Sequence, residues 1–276
     1  VINNLEFDHA DIFPDLAAIQ RQFHHLVRCV PGEGLIIHPE GVEAIDELIA
    51  QGCWTPVTET AVACASARGW TAELLTPDGS AFRVQVPGQA PVSVAWNHCG
   101  RHNVENALAA MAAAHHVGVT LPAAAEALAC FKGVKRRLEL LGTVNGVAVY
   151  DDFAHHPTAI ATTLQGLRAG QGEGRLIALV EPRSNTMRMG EHRAQLAAAT
   201  SDADQVVWFQ PAGMDWSLES VVDASPVPAS LVTDIDELAR QVAADARPGD
   251  RIIIMSNGSF GGVHQKLLAQ LEATIS

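Results

Sequence analysis

Residues 147–167 read VAVYDDFAHHPTAIATTLQGL, a short apolar run that ends in two carboxylates and two imidazoles before a proline. The run from Val147 to Tyr150 predicts a buried strand, and Pro157 predicts the first turn of the helix that follows. The polar residues between them therefore fall in a strand-to-helix turn. This order is the repeating unit of a doubly wound α/β domain.

The same alternation continues to the end of the sequence. Further strands are predicted over 176–180, 205–209 and 251–255, and helices are predicted to start near Pro157, Gly190, Asp234 and Gly261. Strands that alternate with helices favour a mainly parallel sheet. We therefore predict a doubly wound α/β domain in this half of the chain.

The first half of the chain has a different pattern. Residues 11–30 repeat apolar side chains at helical spacing, and GLIIHPEG (34–41) predicts a short buried strand. TAELLTPDGSAFRVQVPG (71–88) predicts a β-hairpin around a Pro-Asp-Gly-Ser turn, with two Ala-rich helices after it, over 104–117 and 122–130. The basic, Gly-punctuated segment FKGVKRRLELLG places a boundary near Gly133. We therefore expect two domains, residues 1–133 and 134–276.

Composition narrows the class of protein. The 276 residues include 18 basic and 31 acidic side chains, a net charge of −13, which disfavours binding to nucleic acid or to an anionic membrane. No apolar run approaches the roughly 20 residues of a membrane-spanning helix. The five scattered cysteines form no C-x-x-C pair and predict reduced thiols of a cytoplasmic protein. The opening VINNLEFDHAD lacks Met and is typical of a strand end, so we expect further sequence upstream of Val1.

Polar residues follow three predicted strands, in VYDDFAHHP, LVEPRSNTMRMG and MSNGSFGG. Open α/β sheets bind ligands beyond the carboxyl ends of their strands, so a cleft is expected there. A histidine in the first stretch can orient or deprotonate an amine. Alternatively, Asp151 and Asp152 are turn and capping residues and the histidines are merely exposed. In the second stretch, Arg183 and Arg188 flank a donor-rich loop that suits carboxylates, or else lie in solvent.

Two stretches of the first half also carry candidate ligands. In NHCGRHNVENALAA (97–110), His102, Asn103 and Asn106 crowd the first turn of a helix, where amide groups are available to a nucleotide. The alternative for Asn103 is an ordinary N-cap. In NLEFDHAD (4–11), His9 and nearby carboxylates are a candidate metal site, or a turn before a helix. A Walker A sequence is absent.

Taken together, NHCGRHNVENALAA, GVKRRLELLG, VYDDFAHHPTAI and EPRSNTMRMG resemble the Mur ligase family in order and spacing. The resemblance implies part of the central ATPase domain over residues 1–133 and a Rossmann-like, peptide-receiving C-terminal domain over 134–276. It also implies ATP and Mg²⁺ as cofactors. In the family reaction ATP phosphorylates a muramate carboxylate, and an amine then attacks the acyl phosphate to give an amide.

The resemblance assigns roles to individual residues. It implies a metal ligand at His9 and a catalytic residue at His156. The implied nucleotide-binding residues are His102, Asn103, Asn106, Arg137 and Asp152. The implied substrate-binding residues are His155, Arg183, Ser184, Asn185 and Arg188.

Within the family, DDFAHHPTAI narrows the resemblance to the muramate-alanine ligase branch, and EPRSNTMRMG is most similar to the ligases that use murein tripeptide. The implied substrates are UDP-N-acetylmuramate and L-alanyl-γ-D-glutamyl-meso-diaminopimelate, joined in peptidoglycan recycling. The alternatives are an L-alanine ligase and a peptide- or nucleotide-binding module without catalysis. Because the P-loop is missing, the chain by itself is expected to be inactive.

Overall fold

The computed structural model describes residues 1–63, 69–170 and 172–273. The chain divides into a first unit, Val1–Lys132, and a second unit, Gly133–Ser276. Cys64 lies outside the described residues. The other cysteines, which are Cys29, Cys53, Cys99 and Cys130, have free thiols.

The first unit carries a mixed sheet whose described strands follow the order β1-β2-β3-β4-β5. Strands β1 to β3 run parallel, and β3 to β5 run antiparallel. The predicted hairpin is confirmed as the pair β3 and β4. The elements are α1 (Leu16–Cys29), β1 (Ile36–Pro39), α2 (Glu43–Ala50), β2 (Val57–Val62), β3 (Trp70–Leu74), β4 (Ala81–Gln85), β5 (Val92–Ala95), α3 (Arg101–His116) and α4 (Leu121–Ala129).

Two local predictions for this unit are wrong. Helix α3 begins at Arg101, with Gly100 before it at φ 96°, so Asn103 is inside the first turn and is not the N-cap. A glycine reaches that backbone angle without strain, which is why the helix begins earlier than an asparagine cap would allow. The opening residues form no strand. Instead, the Ile2 N–H donates to the Ile37 carbonyl at 2.8 Å, a single bond beside β1.

The second unit carries a sheet whose described strands follow the order β10-β9-β8-β11-β7-β6, with every pair parallel except β6 with β7. The predicted doubly wound, mainly parallel fold is confirmed. Strands β8 and β11 are buried along their whole length, which agrees with their apolar sequences apart from Arg251 at the start of β11. The elements are β6 (Glu139–Val144), β7 (Val147–Asp152), α5 (Pro157–Ala169), β8 (Leu176–Val180), α6 (Asn185–Met189), α7 (Arg193–Leu196), β9 (Gln205–Phe209), α8 (Glu219–Asp223), β10 (Ala229–Val232), α9 (Ile235–Asp245), β11 (Arg251–Met255) and α10 (Val263–Ala273).

The stretch EPRSNTMRMG differs from its prediction as a loop before a helix near Gly190. It contains the helix α6, which Ser184 caps by accepting the Met187 N–H at 3.3 Å. Gly190 ends α6 in the left-handed conformation, at φ 81°. Serine at the start and glycine at the end are the ordinary signals of a helix, here with only five residues between them.

Candidate functional site

The ends of β7, β8 and β11 lie level at one edge of the second-unit sheet. Met255, the last residue of β11, is in register with Asp152 of β7 and with Val180 of β8. The three polar stretches that follow these strands therefore meet at this edge, which we call the carboxyl edge. It is the edge at which open α/β sheets bind ligands.

Asp152, at the end of β7, is only 5% exposed and is bound on both oxygens. Its Oδ2 accepts the Leu138 N–H and its Oδ1 accepts the Ala154 N–H, each at 2.7 Å. Burial raises the pKa of the Asp152 carboxyl, although these two bonds and the charge of Arg137 oppose the rise. The turn and capping role accounts for these contacts, and the binding of a nucleotide by Asp152 stays a prediction.

Arg136 anchors the segment before β6 to the carboxyl edge. Its guanidinium donates to the carbonyls of Ser256 and Gly258 at 2.6 and 2.7 Å, and its Nε lies 3.3 Å from Asp151. His264 Nε2 contacts the other oxygen of Asp151 at 3.0 Å. The sequence interpretation chose the neighbouring Arg137, which is exposed, with its guanidinium carbon 5.1 Å from the Phe153 ring centroid. Because Arg136 and Arg137 are adjacent in the sequence, residue spacing alone cannot show which of them contacts the carboxyl edge.

Glu181 and Ser256 form a buried pair that the sequence interpretation also missed. Each follows directly after a fully buried strand, and the Ser256 hydroxyl donates to Glu181 Oε2 at 2.5 Å. The Gly258 N–H donates in turn to the Ser256 hydroxyl at 2.9 Å. The buried Oδ1 of Asn257 has no hydrogen-bond partner within the part of the chain that the structure describes. Glu181 and Ser256 are each the first residue after an apolar strand, and that position could have identified them as candidates.

The two adjacent histidines are held in opposite ways. His155 Nδ1 lies 2.9 Å from the Phe153 carbonyl, so that nitrogen carries the hydrogen and the neutral ring has its lone pair on Nε2. His156 is the N-cap of α5 and accepts the Thr158 N–H at Nδ1, 3.3 Å away, so its neutral ring carries the hydrogen on Nε2. The His156 ring also lies 4.4 Å from the ring of the buried His192, edge to face. The two neutral rings therefore carry their hydrogens on different nitrogens.

Arg183 and Arg188 are both exposed, and neither is paired with a carboxylate of the described residues. Arg183 crosses directly over Gly258, where an added Cβ would lie 2.4 Å from the Arg183 Cδ. Arg188 donates to the Gly213 carbonyl at 2.8 Å. The Ser184 hydroxyl is engaged as a cap, and Asn185 is exposed in the first turn of α6.

A loop after β9 supports α6. The Trp216 Nε1 donates to the carbonyls of Met187 and Arg188 at 3.2 and 3.0 Å and so closes the carboxyl end of this short helix. The side chain of Gln210 bonds both the Trp216 carbonyl and the Leu218 N–H. Helical spacing in the sequence cannot reveal such a cap, because Trp216 is 29 and 28 residues away from Met187 and Arg188, whose carbonyls it binds.

The nucleotide candidates of the first unit all lie in the first turns of α3. The Asn103 amide donates to the Cys99 carbonyl at 2.7 Å, and the Asn106 Oδ1 accepts from the Asn3 amide at 2.8 Å. The exposed Asn106 keeps its own NH₂ group without a partner in the described ranges. His102 is half-buried in the same turn. Asn106 thus fits a ligand that accepts a hydrogen bond, as an adenine ring does.

His9 lies in an exposed turn with φ 55°, and its carbonyl accepts the N–H groups of Ile12 and Phe13. Within residues 1–63, 69–170 and 172–273, no set of three potential ligands includes His9. The described residues therefore supply fewer than three metal ligands there. Mg²⁺ usually takes its remaining ligands from phosphates and water, so the residue fits that ion only in company with them.

None of the helices that the structure describes is long and apolar enough to cross a membrane.

Comparison with known proteins gives two family matches. Residues 1–114 match the model described as Mur ligase middle domain, and residues 136–258 match the model described as Mur ligase, glutamate ligase domain. Each match falls within one structural unit.

Individual relatives cover nearly the whole chain. It is 51% identical to the UDP-N-acetylmuramate--L-alanyl-gamma-D-glutamyl-meso-2,6-diaminoheptandioate ligase of Escherichia coli K12, over 97% of this chain and 58% of the relative. It is 32% identical to the UDP-N-acetylmuramate--L-alanine ligase of Mycolicibacterium vanbaalenii, over 99% of this chain and 60% of that protein. The crystal structure of a murein peptide ligase from Psychrobacter arcticus is 44% identical, with a TM-score of 0.70, over 98% of this chain and 56% of that one.

Proposed function

The chain belongs to the Mur ligase family, and on that premise we propose that it supplies the peptide-binding and part of the nucleotide-binding machinery of a murein tripeptide ligase. The observation that carries the proposal is the difference between 51% identity to the tripeptide ligase and 32% to the alanine ligase, each over nearly all of this chain. The chain spans 58% of the length of the first of these relatives. The complete activity, its substrates and its cytoplasmic location are therefore all part of the proposal.

The proposed reaction forms a C–N bond in two steps. The muramate carboxylate takes the γ-phosphoryl group of ATP and releases ADP. The amine of the tripeptide then attacks the acyl carbon, phosphate leaves, and the proton of the amine passes to a base. Bound Mg²⁺ would neutralise phosphate charge, and His9 would supply one of its ligands.

The carboxyl edge offers groups for the second step. The tripeptide brings several carboxylates, and Arg183 and Arg188 are exposed cations without a carboxylate partner among the described residues. His156, the N-cap of α5, is our candidate for the base, and the adjacent His155 is our candidate for contact with the substrate.

The first step, phosphorylation of the carboxylate, requires residues that bind ATP. Asn106 would contact adenine, with His102 and Asn103 shaping the same helix turn, and Arg137 would contact phosphates from its exposed position. The 276 residues contain no Walker A sequence to cradle the transferred phosphate. We expect no Mg²⁺-dependent ATP hydrolysis by this chain alone.

The test compares acceptors in a ligase that joins this chain to a P-loop-bearing Mur ligase segment. With UDP-N-acetylmuramate and ATP, amide formation is measured with murein tripeptide and with L-alanine over the same concentration range. We expect a higher kcat/KM for the tripeptide. A higher kcat/KM for L-alanine would assign the chain to the alanine ligases instead, and no amide with either acceptor would favour a binding module.

A further inference from the structure

His38, Asp46 and Glu59 form a cluster in the first unit that the proposed ligase reaction does not use. One ring nitrogen and one oxygen of each carboxylate all lie within 4.8 Å of one another. The residues come from β1, α2 and β2, and His38 and Glu59 are register partners in the parallel pair β1 and β2. We propose that this cluster binds a divalent transition-metal ion, with Zn²⁺ as the best match.

The histidine is held as a metal ligand would be. His38 is 3% exposed, and its Nδ1 lies 2.9 Å from the Pro39 carbonyl. A carbonyl only accepts, so Nδ1 carries the hydrogen and the neutral ring keeps its lone pair on Nε2. No hydrogen-bond partner for Nε2 occurs among the described residues. Ligating histidines commonly have their second ring nitrogen fixed in this way by a carbonyl.

The two carboxylates have no other contact that explains their proximity. Neither Asp46 nor Glu59 forms a side-chain hydrogen bond or ion pair with any residue that the structure describes. Two like charges this close repel each other, and a cation between them removes the repulsion. Asp46 also lies in the first turn of α2, where the helix dipole favours a carboxylate, but this explains neither Glu59 nor the orientation of His38.

The donor set selects the kind of ion. One imidazole nitrogen with two carboxylate oxygens suits Zn²⁺, whereas Ca²⁺ and Mg²⁺ favour oxygen ligands alone. His38 is buried, Glu59 is half-buried and Asp46 is exposed, so the ion would enter from the Asp46 side. Three protein ligands leave a fourth position for water.

Such an ion would tie α2 to the edge of the first-unit sheet. Strand β1 ends the described strand order and is four residues long, so it gains few ladder bonds of its own. An ion that binds only the folded unit stabilises it by an amount that grows with the logarithm of the ion concentration above its Kd. Bound Zn²⁺ is therefore expected to stabilise the first unit.

The test is a calorimetric titration of Zn²⁺ into the 276-residue chain, with Mg²⁺ in excess. Cys29→Ser and Cys130→Ser form the background, because they remove the two exposed thiols that would compete for the ion. In that background we expect Asp46→Asn and Glu59→Gln each to weaken the tightest Zn²⁺ site by about tenfold or more. Glu43→Gln is the matched control, since it removes an equal charge from the exposed first turn of α2 and should change nothing.

Thermal unfolding provides the second readout. Zn²⁺ should raise the Tm of the first unit in the background chain and in Glu43→Gln, and should do so much less in Asp46→Asn. His9→Gln should leave the Zn²⁺ response intact, which separates this cluster from the proposed magnesium ligand. If Asp46→Asn and Glu59→Gln both leave affinity, stoichiometry and the rise in Tm unchanged, the cluster is not a metal site. Neither variant alters a fully buried side chain, so the result does not depend on the buried His38.

Discussion

The two edges of the second-unit sheet differ in how completely their charges are paired: the carboxyl edge holds the pair of Arg136 with Asp151 but also two arginines without a carboxylate partner among the described residues. At the amino edge, Asp204 and Asp250 immediately precede β9 and β11, and each carboxylate pairs with an arginine at 2.7 Å. At the carboxyl edge, Arg183 and Arg188 follow β8 and have no carboxylate partner in the described part of the chain. Charges that are neutralised internally hold a fold together, whereas charges left unmatched are available to a ligand.

The carboxylates themselves show the same division. Burial raises the pKa of Asp250, but the Arg175 guanidinium and the backbone N–H groups of Arg247 and Arg175 outweigh it, and the pKa is lowered. At the opposite edge, burial dominates at Asp152 and its pKa is raised. We therefore assign stability chiefly to the amino edge and ligand binding to the carboxyl edge.

The largest expected effect is at the amino edge. Asp250 is 2% exposed and receives the Arg175 guanidinium together with the N–H groups of Arg175 and Arg247. Asp250→Ala leaves the two backbone N–H groups without an acceptor, while Arg175 keeps Asp245 as a partner. The change should lower the free energy of unfolding of the second unit by about 2–4 kcal/mol. Urea unfolding followed by circular dichroism measures the change.

The control is Asp245→Ala, which removes the other carboxylate that pairs with Arg175, at 2.8 Å. Its side chain is 46% exposed, so the loss should stay below about 1 kcal/mol. Equal losses in both variants would mean that burial of Asp250 does not set its contribution, and the contrast between the edges would weaken.

The next effect concerns ligand affinity at the carboxyl edge. Arg183→Ala or Arg188→Ala should weaken binding of murein tripeptide by roughly ten- to a hundredfold, about 1.5–3 kcal/mol, because each removes a charge-assisted contact. Lysine replacements should recover only part of this loss, since an ammonium lacks the planar fork. Isothermal titration calorimetry on the chain measures both.

The matched control is Arg168→Ala, which removes an arginine that pairs with Asp204 at the amino edge. It should leave the affinity for tripeptide unchanged. If the affinity survives Arg183→Ala and Arg188→Ala as well, the two arginines lie in solvent and do not contact the peptide.

The smallest effect is a difference in pH dependence. A lowered pKa at Asp250 contributes stability above the ordinary aspartate value, about 3.9, and loses it as pH falls through the folded-state value. The raised pKa at Asp152 has the opposite sign, so its contribution is full below about 3.9 and is lost as pH rises through the folded-state value.

The stability difference between wild type and Asp250→Asn should therefore shrink as pH falls. The stability difference between wild type and Asp152→Asn should instead shrink as pH rises towards neutrality. Urea unfolding at several pH values from about 3 to about 7 checks both directions. If the stability difference changed with pH in the same direction for both variants, this result would contradict the opposite pKa shifts of Asp250 and Asp152.

Much of this architecture can be predicted from sequence because the signals are local. The apolar runs of β8, β9 and β11 predict their strands with the observed bounds, and Pro157 predicts the start of α5. Strand β6 was missed because its sequence begins in a basic, Gly-punctuated segment that does not resemble a strand. It forms a strand by pairing with β7, which lies outside that segment.

The candidate site was only partly predictable. Its position after the strand ends follows from the fold class, and the sequence marks the residues that cluster there. The contacts of Arg136 with Ser256 and Gly258 span 120 and 122 residues, so no local pattern can select it over Arg137. The tautomers of His155 and His156 likewise depend on backbone partners that only a folded chain provides.

The most direct test is to determine which residues of the second unit respond when the tripeptide binds. Backbone amide chemical shifts of the chain are recorded by NMR as L-alanyl-γ-D-glutamyl-meso-diaminopimelate is added, with L-alanine in a parallel titration. We predict saturable shifts for the non-proline residues of 153–157, 181–190 and 256–260 with the tripeptide, much weaker shifts with L-alanine, and none around residues 175, 204 and 250. Shifts centred on the amino edge, or equal responses to both ligands at the carboxyl edge, would contradict it.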